Sequence, residues 1–313
     1  MSAGIYRNME GLYLSRIYHE KIIRSALSYK PRPDDIFIVS YPKCGTTWMQ
    51  HIAYCIINDD VLPSAGTHFF KLAPFLEFLG AEFVKDMRRP GAIKTHLPFD
   101  KQPYSDRAKY VYVTRNPYDC CVSFYHHTKN FPFYEFESGT FDEFFELFLQ
   151  GKVEFGDYFD HLLSWYKHRD DPNVLLVTFE DLKKDFGLWI QKIGEFIGRE
   201  YGERLQSQPE VLERVISMTS LEAMKGINKA IKGWKGYPEG EEGQAMPEAF
   251  RLMKESLGDV LKKPVTGDFV RKGIVGDWRN HFSTEQIERM KERIALKTKG
   301  SDVMTLWKDV DLP

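Results

Sequence analysis

The chain has 313 residues, 42% of them hydrophobic and 14% aromatic, and its 43 Lys and Arg against 45 Asp and Glu leave a formal net charge of −2. That length can bury a sizeable core, and the near-neutral balance excludes the diffuse electrostatic affinity of general nucleic-acid or membrane-surface binders, so any cationic site is local. Cys44, Cys55, Cys120 and Cys121 have neither zinc-ligand spacing nor the look of a disulfide framework, and there is no apolar leader and no long apolar run; a cytoplasmic protein without a membrane or nucleic-acid partner is expected.

Taken in chain order, the first clear element is the apolar run Ile36–Tyr41, read as a strand, followed by a helical pattern over Thr46–Ile57. A short strand at Ala92–Thr95, another at Tyr110–Thr114 and helices over Tyr118–Thr128, Thr140–Gln150 and Tyr158–His168 come next. Val174–Phe179 closes the strand set, and Leu188–Ile197 is helical. Thr140 with Glu143 and Ser283 with Gln286 are capping boxes that mark helix starts. The Gly-, Lys- and Glu-rich stretch Lys225–Gly243 reads as a mobile surface loop, a candidate lid, and Pro247–Lys262 as a helix. With no repeat and no boundary in sight, the expectation is one α/β domain over residues 1–313. Its central parallel sheet carries helices on both faces, and ligands gather at the carboxyl ends of the strands.

Four groups of residues carry chemistry. In "IFIVSYPKCGTTWMQ" a strand turns through Lys43 and Gly45 into a helix, and unpaired N–H groups at a helix start favour an anion. Thr46 and Thr47 add hydroxyl donors, although the stretch also reads as an ordinary strand–turn–helix junction with a surface lysine. In "AIKTHLP", Lys94 and His96 share one side of a strand end. A neighbouring ammonium disfavours imidazolium and suits His96 to general-base work, while a structural histidine is the alternative. In "YVYVTRNPYDCCVSFYHH", Arg115 ends a strand and can clamp a phosphate or pair with a local carboxylate; Ser123 lies on the following helix. "VRKGIVGDW" adds a cationic turn at Arg271, Lys272 and Gly273. No metal is expected: HExxH, paired carboxylates at ligand spacing and the Walker A and B residues are all absent.

The segments "RPDDIFIVSYPKCGTTW", "PFLEF", "KTHLP", "YVTRNPYDCCVSFY", "FEDLKKD" and "RKGIVGDW" occur in the order and approximate spacing of cytosolic sulfotransferases, and over nearly its whole length the chain resembles that family. The resemblance implies transfer of a sulfuryl group from 3′-phosphoadenosine 5′-phosphosulfate (PAPS) to a hydroxyl or amine of a small molecule, leaving adenosine 3′,5′-bisphosphate (PAP). Lys43, Cys44, Gly45, Thr46, Thr47 and Trp48 would form a P-loop-like phosphosulfate loop, with Trp48 near the adenine. Arg115, Ser123, Arg271, Lys272 and Gly273 would hold the 3′-phosphate. His96 would take the acceptor proton, and Lys43 and Lys94, with Ser123, would complete the catalytic group. Phe179, Thr219 and Leu221 would border the nucleotide, Phe179 standing for a frequent Tyr and Leu221 for a frequent Phe.

Phe75 and Phe78 match acceptor-facing positions, and His19 and His127 stand where members acting on simple phenols carry aromatic residues. A phenol, catechol or phenolic amine is the expected acceptor, with the two histidines either bonding its polar substituents or facing solvent. The vertebrate dimer segment survives only as Arg279, Ser283, Thr284 and Glu288, which implies a monomer or weak homodimer. A non-catalytic nucleotide-binding relative and an ATP-dependent small-molecule kinase are the alternatives. Retention of His96 with both lysines weighs against the first, and the missing Walker residues against the second.

Overall fold

Alternation within the strands decides how this chain folds. A computed structural model describes residues 5–59, 67–232 and 247–313. Strand β3 (Asp35–Val39) sends Ile36 and Ile38 into one apolar core and Phe37 and Val39 into another. Strand β5 (Lys109–Thr114) does the same, with Val111 and Val113 on one side and Tyr110 and Tyr112 on the other. A strand buried on both faces belongs inside a parallel sheet covered by helices. The sheet that results has the order β4-β3-β5-β6, all parallel, with β4 at Gly91–Thr95 and β6 at Val174–Thr178. Phe37 stacks on Tyr110 at 4.9 Å and Tyr112 on Trp165 at 5.4 Å, so one of the two cores is aromatic.

From β3 the chain runs through helix Thr46–Asn58 to β4 on one side, then crosses to β5 on the other. The strand order reverses around β3, and a crevice opens at the carboxyl ends of β3 and β5. The Pro117–Asn130 helix follows β5, starting with Pro117 at its first turn and the Asn116 side chain as its cap. Both expected capping boxes are present, Thr140 with Glu143 and Ser283 with Gln286. An N-terminal hairpin, β1 (Tyr6–Met9) with β2 (Leu12–Ser15), packs beside the aromatic core.

One expectation is corrected. Residues 225–232 are not loop but the end of a helix, Leu221–Lys232, whose Met224 and Ile227 are buried. The apolar spacing Leu221, Met224, Ile227, Ile231 outweighs Gly226 and the lysines. The remainder of the expected loop, residues 233–243, lies outside the described residues. Among the described residues, no helix is long and apolar enough to cross a membrane.

Candidate active site

After β3, the backbone turns sharply before the Thr46–Asn58 helix. Lys43 takes a positive φ of 71°, unusual for a residue with a side chain, and Gly45 follows at 107°. A Cβ on Gly45 would also meet the Phe179 ring at 3.3 Å, so the position demands glycine twice over. No side chain caps this helix, which leaves its first-turn N–H groups for a ligand. The Ser40 hydroxyl meets that of Thr46 at 2.5 Å beneath the turn.

The turn opens on a cavity of about 360 Å³. Lys43, Gly45, Thr46, Thr47 and Trp48 line it from β3, Lys94 and His96 from β4, and Arg115 and Ser123 from β5 and its helix. Phe179, Leu221, the Arg271–Gly273 turn, Phe75 and His127 complete the lining. The chain thus brings four cationic strand and loop ends into one chamber.

Withdrawal from water, with Lys94 and Arg115 nearby, pushes the Lys43 ammonium down to about 7. Withdrawal likewise takes Lys94 to about 8, with Glu77 and Glu154 working against it. Lys43 Nζ lies over the Phe269 ring at 4.2 Å and 3.4 Å from His127 Nδ1. Burial and these lysines hold His127 well below the usual histidine range, so its Nδ1 can accept from Lys43. Lys94 Nζ lies over Phe75 at 4.5 Å.

His96 is buried, and its Nδ1 sits 2.7 Å from the Ser40 carbonyl oxygen. A carbonyl can only accept, so Nδ1 carries the proton and Nε2 keeps its lone pair. Burial first, then Lys94, hold the ring neutral, far below the usual histidine range. Its backbone N–H donates to Glu77 at 2.5 Å, and its carbonyl accepts from His161 at 3.1 Å. The ring is therefore fixed in place, in tautomer and in charge.

Arg115 is buried with its guanidinium 4.4 Å above Phe179. It donates to the Ile274 carbonyl at 2.9 Å, while its Nε has no partner. Arg271 and Lys272 both donate to Asp277. Burial works against that carboxylate, but these two bonds hold it well below its ordinary range. Asp119 accepts from Gly276 N–H at 2.7 Å and Trp278 N–H at 3.0 Å, which pins this cationic turn to the Pro117–Asn130 helix.

Four expected residues stand elsewhere. Cys44 points into the aromatic core, its sulfur 3.7 Å from that of Cys120. Thr219 is buried behind Trp48, whose indole N–H donates to the Thr219 carbonyl at 2.7 Å. Phe78 packs behind Phe75 against Phe250, outside the cavity lining. His19 caps the Glu20–Leu27 helix, its Nδ1 accepting from Lys21 N–H at 3.2 Å, because strand β2 ends before it and the chain must start a helix there. Its neighbour Tyr18 lines the cavity instead. Sequence reasoning also passed over Lys183, one helical turn from Phe179 and 6.0 Å above Trp48, and Phe131, Tyr134 and Glu154, which line the cavity too. Among the described residues, no group of three or more His, Cys, Asp or Glu side chains could hold a metal ion.

A family model described as "Sulfotransferase domain" matches residues 33–302. Sulfotransferase 1C2 of Rattus norvegicus is 33% identical over 291 residues, covering 88% of this chain and 87% of its own. Sulfotransferase 2B1 of Mus musculus is 37% identical over 263 residues, 82% of this chain and 69% of its own. The crystal structure of mouse sulfotransferase SULT7A1 complexed with PAP superposes with a TM-score of 0.72 at 29% identity, over 97% of this chain and 98% of that one.

Proposed function

This chain belongs to the sulfotransferase family and is a PAPS-dependent sulfotransferase, and from that premise we propose that its cavity moves a sulfuryl group from PAPS to the hydroxyl of a small phenolic or catecholic acceptor, with His96 as general base. The observation that carries this reading is a neutral His96 with a free Nε2, in one chamber with two recessed lysines. His96 Nε2 takes the acceptor's proton as its oxygen bonds to sulfur, and the bond from sulfur to the bridging phosphate oxygen breaks. Lys43 stabilises charge on that leaving oxygen, and Lys94 neutralises the sulfuryl oxygens in flight.

The residues fit an anionic nucleotide. An uncapped helix start, an Arg115 Nε without a partner and lysines with depressed pKa values all lack the anion that would satisfy them. In this reading Thr46, Thr47 and Gly45 hold the 5′-phosphosulfate and Arg115, Ser123, Arg271, Lys272 and Gly273 the 3′-phosphate. Trp48, Phe179 and Leu221 border the adenine. Thr219 acts only by fixing Trp48. Phe75 and His127 face the acceptor. Four free thiols suit a reducing, cytoplasmic setting, in which we place it as a monomer or weak homodimer.

The test is calorimetric titration with PAP beside ATP and magnesium, followed by incubation with PAPS and simple phenols and mass detection of the sulfate ester. The reading predicts tight PAP binding, none of ATP, and an ester. PAP binding without ester from any phenol overturns the phenolic acceptor, and a preference for ATP overturns the nucleotide assignment.

A further inference from the structure

One acidic group in the cavity has no part in that chemistry. Glu154 is 5% exposed, lines the chamber and belongs to neither the phosphate-binding nor the proton-transfer set. A tight turn presents it: Phe155 at a positive φ of 65° donates its N–H to the Tyr13 carbonyl at 2.8 Å, and the Tyr41 hydroxyl donates to the Gly156 carbonyl at 2.8 Å. Oε1 accepts from Ser15 N–H at 3.3 Å and from the Ser15 hydroxyl, and Oε2 accepts from the Tyr134 hydroxyl at 2.6 Å. A carboxylate offers about four acceptor sites, so one remains, on Oε2.

All three partners donate, which favours the ionised form, while burial pushes the group's pKa up. Among the described residues no lysine, arginine or histidine forms an ion pair with it; Lys94 acts on it only through its field. Burial without a counter-ion disfavours the charged form of this carboxyl group, and a cationic ligand beside it would restore that form. The wall beside it is aromatic: Tyr134 lies 4.4 Å from Phe133, which lies 5.4 Å from Phe131, and all three rings line the cavity with Tyr18. Aromatic faces around one carboxylate make a chamber that suits an organic ammonium. Lys43 and Lys94 would repel such a group in the free protein, but bound phosphosulfate compensates both.

Resting on the sulfotransferase reading above, we propose that Glu154, held by Ser15 and Tyr134, is the subsite for the ammonium group of the acceptor, and that the acceptor is an amine-bearing phenol. A neutral hydroxyl donor in the same place is the competing occupant.

The test titrates the PAP-loaded protein with tyramine, 4-ethylphenol and 4-(2-hydroxyethyl)phenol, which differ only at the end of a two-carbon arm. Tyramine is expected to bind about tenfold or more tighter than 4-ethylphenol, the scale of a charge-assisted bond in a desolvated site. Glu154→Gln, nearly isosteric, should bring that ratio close to one, and Tyr134→Phe should reduce it if the first variant folds poorly. Tyramine no tighter than 4-ethylphenol, or a ratio unchanged in both variants, overturns the proposal. Equal binding of the hydroxyethyl compound and tyramine overturns it in favour of a neutral donor. The phenol-sulfation reading fails separately: if PAPS yields no ester from any of the three phenols while the tyramine preference holds, sulfation of phenols falls and Glu154 stands as an ammonium site.

Discussion

Lys43 and Lys94 are poised near neutrality because the cavity removes their water, and for Lys43 because Lys94 and Arg115 stand close by. An anion in the chamber raises both pKa values. The contribution of each lysine to nucleotide affinity is therefore complete below its free-protein value, about 7 for Lys43 and about 8 for Lys94, and is lost as pH climbs from there towards the bound value. The 5′-phosphate of PAP, with a second pKa of about 6, is already ionised over that range. PAP affinity should fall steadily from pH 7 to pH 9, with net proton uptake near pH 8 when calorimetry is repeated in buffers of different ionisation enthalpy; a flat or rising affinity contradicts the electrostatic account. Arg115→Ala removes a buried guanidinium whose Nε has no partner in the protein. It should weaken PAP by about 1.5–3 kcal/mol, or about 10- to 100-fold, in the same titration.

The cationic turn that ends in Gly273 is held by other elements more than by itself. Asp119, near the start of the Pro117–Asn130 helix, fixes it through two backbone N–H groups, and Asn228 on the Leu221–Lys232 helix exchanges two bonds with the backbone of Val270. Gly273, at φ 60°, packs where a Cβ would meet Leu221 at 2.7 Å. Asp119→Ala strands those buried donors and should cost about 1–3 kcal/mol of stability. It should also weaken PAP although Asp119 does not line the cavity, as thermal unfolding and titration of the variant would show; unchanged affinity would mean that the turn holds its shape alone. These anchors join residues 42 positions apart for Asn228 and Val270 and 157 and 159 apart for Asp119, which is why no local pattern reveals them. The Lys43 and Arg115 loops were legible because periodicity changes sharply from strand to helix there. The Leu221–Lys232 helix was misread because its glycine and lysines obscured a sound apolar stripe. His19 stands one residue from Tyr18, the side chain that lines the cavity, since the cap that turns His19 away depends on where β2 ends. Glu154 belongs to no motif, and what sets it apart is that it is buried and yet lines the cavity.

Across the whole molecule, the far end of the chain supports the site. Trp307, buried, donates its indole N–H to Glu180 Oε2 at 2.8 Å, and Glu180 Oε1 accepts from both the backbone and side chain of Asn116, next to Arg115. Trp307→Phe keeps an aromatic ring but leaves that buried oxygen unpaired; a loss of about 1–3 kcal/mol in denaturant unfolding is expected, with weaker PAP binding beside it. Two cores on either side of one parallel sheet hold β3, β4 and β5 in register, and that register sets Lys43, His96 and Arg115 around one chamber. The most direct test of this arrangement is single-turnover sulfuryl transfer by His96→Ala, with PAP affinity measured on the same preparation. The rate should drop by about 10²- to 10⁴-fold while PAP affinity stays within a few-fold of the parent protein. A variant that keeps most of its rate would place the base elsewhere and contradict the account.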